Sequence, residues 1–167
     1  NGNTNLSAGQ LIFANNTPTT LNFKHLSANN AVISMGVNLE DLTADQLQIT
    51  SSFDGNTTVS LRNTAATANV TSGNGIKLID ISNTATVNGT FELLGGQWDE
   101  GGYVYKLLQD DGDPDYYLKT TGDLTVTNTD INANNNIILK AKNGNLNINS
   151  TTKFNDGANV ISMESYN

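Results

Sequence analysis

The chain has 167 residues, enough for one domain with its own core, and no cysteine, which excludes disulfides, thiolate metal sites and thiol catalysis. Its net charge of −8, from 8 Lys and Arg against 16 Asp and Glu, argues against docking on nucleic-acid phosphates or on anionic lipid. Only 14% of residues are charged and 37% are hydrophobic, while Asn and Thr supply roughly a quarter of the chain; this is too apolar for a disordered segment, and Asn, Thr and Gly favour strands and turns over helix.

Asn1–Asn5 lacks the basic and apolar regions of a secretory leader and reads as the middle of a structure, so a piece cut from a longer chain is expected. No stretch reaches the length of a membrane helix, and direct membrane insertion is not expected. Apolar residues then arrive as short alternating clusters: Leu21-x-Phe23, Ile33-x-Met35-x-Val37, Leu47-x-Ile49, Val59-x-Leu61, Leu78 to Ile81 and Phe91-x-Leu93. Alternation places each set on one face of a strand. His25, the only histidine, falls after Phe23-Lys24. With no Gly-x-Ser-x-Gly nucleophile turn in the chain, it reads as a strand or loop residue and not as a triad base. Asn38 to Leu47 has an Asn cap and early acidic residues, but reads as a loop of a turn or two.

From Gly95 to Tyr117 the texture changes. Trp98 and four of the five tyrosines, Tyr103, Tyr105, Tyr116 and Tyr117, fall here, with Gly95-Gly96 and Gly101-Gly102 around the Trp. Tyr103–Leu108 and Tyr116–Lys119 read as the arms of a β-hairpin joined by Asp110-Asp111-Gly112-Asp113-Pro114-Asp115. Asp110, Asp111, Asp113 and Asp115 offer oxygen ligands to Ca²⁺ but lack the spacing of an EF-hand loop, so a solvated turn and no cofactor is the expectation. The adjacent carboxylates Asp99-Glu100 and Glu40-Asp41 are the pairs available for glycoside hydrolysis, in a chain with a single arginine, Arg62. The sequons at Asn56 and Asn69 are what chance supplies in a chain this rich in Asn and Thr. Beyond Gly122 come further strand-like clusters, Leu124-x-Val126, Ile137-x-Leu139 and Leu146-x-Ile148.

Strands this short must be covered by neighbours, which either a β-sandwich or a β-solenoid achieves. Asn that stacks in ladders or holds left-handed turns, Thr at outward positions, and the self-similarity of Asn128–Asn136 with Asn143–Asn149 favour the solenoid.

Several blocks carry a resemblance. Ala44-Asp45-Gln46-Leu47-Gln48-Ile49, then Asn74-Gly75-Ile76-Lys77-Leu78-Ile79-Asp80-Ile81, Gly89-Thr90-Phe91-Glu92-Leu93, Gly101-Gly102-Tyr103-Val104-Tyr105-Lys106-Leu107 and Asp115-Tyr116-Tyr117-Leu118 stand in order. Together they resemble the pertactin-like autotransporter passenger domain. The last 45 or so residues instead look similar to filamentous haemagglutinin-type repeats, in place of the linker helix and barrel of the first family.

The resemblance implies a right-handed parallel β-helix over residues 1–122, ending in an autochaperone-like hairpin cap at about 95–119, with 123–167 as additional Asn-rich strands or a spacer. It implies a folding cap of Trp98, Tyr103, Tyr105, Leu107, Tyr116, Tyr117 and Leu118. The module would be a non-catalytic stalk segment of a virulence or adhesion protein secreted by the type V route. It would stand at a Gram-negative cell surface, attached through an outer-membrane barrel. Its partners would be the upstream coils and its own translocator barrel, with a host receptor or glycan as the alternative reading and a glycan-cleaving, tailspike-like solenoid as the remote one.

Overall fold

The computed structural model describes residues 2–121 and, further on, the backbone of six short strands. Among the described residues every regular element is a strand. Two compact units are present, Asn1–Thr120 and Thr121–Asn167.

In the first unit, β1 (Asn3–Asn5) and β2 (Gln10–Ile12) pair in parallel with β3 (Thr20–Ser27) and β4 (Ala31–Asn38). A two-residue β5 (Thr43–Ala44) turns back on β4, and the long β6 (Gln46–Asn63) takes both β3 and β4 in parallel on one edge. Its other edge takes β7 (Ile76–Ile81) and β8 (Thr86–Leu93), again in parallel. The step between partners lengthens along the chain, from Asn3 opposite His25 to Ser52 opposite Thr86. Antiparallel pairing begins only at the end, in β9 (Trp98–Glu100), β10 (Tyr103–Leu108) and β11 (Tyr116–Thr120), where β11 returns onto β7. A β-sandwich would pair its strands in antiparallel hairpins throughout, and the parallel ladders of β1 to β8 depart from that alternative.

Parallel stacking turns the alternation of single strands into columns. Leu21, Leu47 and Ile79 stand one above another, and Tyr116 continues the column from β11. Phe23, Ile49 and Ile81 form a second column, and Ile33, Val59 and Leu93 a third. Leu47, Ile49, Ile33, Val59 and Ile79 are fully buried, and burial of each such side chain contributes about 1.5–3 kcal/mol. Outward side chains also meet rung to rung. Asn88 Nδ2 donates to Asp54 Oδ1 at 3.0 Å, and Thr90 Oγ1 to Asn56 Oδ1 at 3.2 Å. Thr57 departs from the outward threonines: it is buried and donates to the Ala28 carbonyl at 2.6 Å.

One stack of glycines admits no side chain. Gly55, at φ 110°, lies against the backbone of Asn29, and Gly89 pairs directly with Gly55. Asn30 sits at φ 53°, the left-handed role open to asparagine in turns. Asn38 caps its turn by accepting the N–H groups of Glu40 and Asp41 at 3.0 and 2.9 Å. Leu42 then takes φ 56°, which ends any helical run before β5.

In the second unit, β12 (Leu124–Val126), β13 (Asp130–Ile131) and β14 (Ile137–Lys142) pair in parallel with β15 (Leu146–Ile148), β16 (Lys153–Phe154) and β17 (Ile161–Tyr166), in that order. The self-similar Asn128–Asn136 and Asn143–Asn149 lie mostly outside the described residues.

Candidate functional site

The aromatic end of the first unit is a three-stranded antiparallel cap. Tyr105 pairs with Thr120 across the hairpin and with Trp98 on the other side. A register shift between Tyr116 and Tyr117 lets consecutive side chains pack, because a bulge breaks the strict alternation of faces. Tyr116, Tyr117 and Leu118 are all buried in consequence.

The cap is tied to the parallel strands through aromatic contacts and buried polar bonds. Tyr116 packs edge-on against Phe91 with centroids 5.3 Å apart, and Phe91 stacks on Phe53 at 4.2 Å. Tyr105 has no exposed surface and donates its hydroxyl to the Asn69 carbonyl at 2.6 Å. Burial, with Tyr103 and Glu100 adding to it, pushes the Tyr105 phenol up to about 12. Thr71 and Thr120, both buried, bond reciprocally, each backbone N–H donating to the other's hydroxyl at 3.0 and 2.8 Å.

The remaining expected cap residues are less enclosed. Trp98 and Leu107 are half-buried at the margin of the core, with Trp98 5.7 Å from the Tyr105 ring. Tyr103 keeps 38% of its surface exposed at the start of β10, although its ring lies edge-on to Tyr105 with centroids 6.4 Å apart.

The acidic turn differs from a solvated loop. Asp115 is 6% exposed because the return of β11 over β7 carries it onto Lys77 and Ile81. Its Oδ1 accepts the Ile81 N–H at 2.6 Å and its Oδ2 holds the Lys77 ammonium at 2.5 Å. The Asp115 hydrogen bond holds Lys77 charged well above the usual lysine range; burial opposes this, and Asp80 at 3.2 Å adds to it. Asp113 accepts the Asp115 N–H at 3.0 Å and the Tyr117 hydroxyl at 2.9 Å, and these two donors, in that order, lower its carboxyl below the ordinary range. Asp110 pairs with Lys119. The ammonium groups of Lys77 and Lys119 lie 5.5 and 5.6 Å from the Tyr117 ring centre. Asp111 alone of the four weak Ca²⁺ candidates is exposed. Among the described residues no cluster of three or more His, Asp or Glu is arranged to hold a metal.

The carboxylate pairs do not converge on a site. Asp99 and Glu100 alternate on β9, with Asn63 donating to Glu100 at 3.4 Å, and Glu40 and Asp41 lie exposed in the Asn38 turn. His25 on β3 has its Nδ1 2.9 Å from Ser52 Oγ.

Sequence reasoning overlooked Asp45. It is 2% exposed and accepts the N–H groups of Gly36 and Thr19 at 2.7 and 2.9 Å, joining the end of β4 to the approach to β3. The only signal was its place in the block Ala44–Ile49, which says nothing of the two distant donors.

A search among curated proteins finds no match. The family model described as Pertactin, in contrast, matches residues 2–120, a span that ends on the last residue of the cap. The all-β architecture with its parallel ladders agrees with that match, and the chain therefore belongs to the pertactin family, as a pertactin-like autotransporter passenger domain.

Proposed function

We propose that residues 2–120 are a stalk segment of the passenger, wound as a right-handed parallel β-helix, in which the cap at 95–120 acts as an autochaperone-like folding nucleus. The observation that carries this reading is the junction of β11 with β7. There the parallel ladder ends, and the column Leu21–Leu47–Ile79 passes into Tyr116 without a break. Parallel crossovers are right-handed in nearly all cases. Stacked coils stabilise mainly their neighbours, so a well-packed end can template the coils before it. The role is non-catalytic and needs no cofactor. Its partners are the upstream coils and the translocator barrel of its own protein, and its place is the surface of a Gram-negative cell.

Refolding kinetics of the full chain test it. Tyr105→Phe, Leu118→Ala and Tyr116→Ala should slow folding in proportion to their loss of stability, whereas Leu11→Ala and Leu21→Ala should mainly speed unfolding. Cap variants that leave the folding rate unchanged would overturn the nucleus.

A second reading, engagement of a host-cell receptor or glycan, draws on exposed apolar side chains near the cap, Tyr103, Leu94 and Leu108. Loss of cell or glycan binding in Tyr103→Ala, with folding rates unchanged in the cap variants, would favour it over the first.

A further inference from the structure

We infer that Ser52 is a nucleophile activated by His25, able to take a phosphoryl or acyl group from an activated electrophile. The inference stands apart from the stalk reading and rests on the register of β1, β3 and β6. Phe23 pairs with Ile49 and His25 with Ser52, so β6 carries one residue more than β3 in this interval. Phe23 packs against the core, and strict alternation would send His25 to the same face. The alternation of β3 breaks in the same interval, because Phe23 and Leu26 both pack in the core three residues apart, and the extra residue of β6 sets Ser52 opposite His25 at a surface cleft.

Three observations then coincide. The imidazole Nδ1 lies 2.9 Å from Ser52 Oγ, within reach for general-base removal of the hydroxyl proton. Asn3 pairs with His25 from β1, so a carboxamide, an imidazole and a hydroxyl stand in successive rungs of one column. The column opens into a cleft of about 350 Å³ that Ser27 and Asp54 also line, giving a reactant room to approach. In the step itself Ser52 Oγ bonds to the electrophilic phosphorus or carbonyl carbon and its proton passes to His25 Nδ1. The leaving group departs with the bonding pair, and the proton is released to it or to water.

The full chain treated with an alkyl fluorophosphonate tests the assignment. Phosphorus–oxygen bond formation at Ser52 expels fluoride, and peptide mapping by mass spectrometry locates the adduct. Labelling at Ser52 is expected, and at least tenfold slower labelling at Ser27, an unassisted hydroxyl in the same cleft. His25→Asn should slow labelling about 10²-fold with an unchanged thermal transition. An unlabelled Ser52, equal rates at Ser52 and Ser27, or an undiminished rate in His25→Asn would overturn the inference.

Discussion

Asp115 reaches from the hairpin turn onto strand β7, taking the backbone N–H of Ile81 on one oxygen and the Lys77 ammonium on the other. A single carboxylate thus satisfies the end of β7 and fixes the start of β11. Asp115→Ala should cost about 2–3 kcal/mol, because it leaves a buried N–H and a part-buried ammonium without their acceptor. Lys77→Ala should cost less, about 1 kcal/mol, since Lys77 keeps a third of its side chain in water. Urea denaturation of both singles and the double variant gives the coupling, and a double variant equal to the sum of the singles would deny the interaction.

Gly89 has no room for a methyl group. A Cβ there would overlap the Gly55 carbonyl oxygen. Gly89→Ala should cost more than about 3 kcal/mol, as forced overpacking against backbone does. Gly96→Ala is the control: its Cβ meets nothing within 4 Å, and its φ of 80° predicts only the left-handed penalty of about 1–2 kcal/mol. Thermal unfolding ranks the two, and a Gly96 variant as damaged as the Gly89 one would contradict the steric account.

Asp45 bonds two N–H groups that no strand ladder serves. Removal by Asp45→Ala should cost about 2–4 kcal/mol, while Asp45→Asn, which retains one acceptor oxygen, should cost about half as much. Limited proteolysis between Phe13 and Thr19 should accelerate in step with the stability loss, because Thr19 is one of the two donors.

The tyrosines set the alkaline limit. An unfolded tyrosine ionises near 10, whereas folded Tyr105 does so at about 12, and burial raises Tyr116 and Tyr117 in the same direction. Their contribution is therefore complete below about pH 10 and is lost as the pH rises through the folded values, because the unfolded chain releases its protons first. Tyr105→Phe should lower stability at neutral pH through loss of the Asn69 bond and reduce the fall of Tm above pH 10. An undiminished alkaline fall would assign the effect to the other phenols.

Local alternation made the strands legible, and the clustering of Trp98 and the four tyrosines around a Gly- and Asp-rich turn made the cap legible. Both are short-range properties: side chains alternate faces whatever a strand pairs with, and turn residues act on their own backbone. The same reasoning left Asp115 in solvent, since nothing near it in the chain shows that β11 will lie on β7.

What the tertiary structure decided is which residue meets which across distant segments. Gly55 under Gly89, Thr71 beside Thr120, Asp45 on Thr19 and Gly36, and the extra residue of β6 that sets His25 against Ser52 all depend on register. Register between parallel strands comes from the packing of whole columns, and an alternation of two fits many registers equally well until those columns close. By itself, then, the sequence determined an all-β chain with an aromatic cap near its hundredth residue. The stacking determined how that cap is held and which polar groups are brought together.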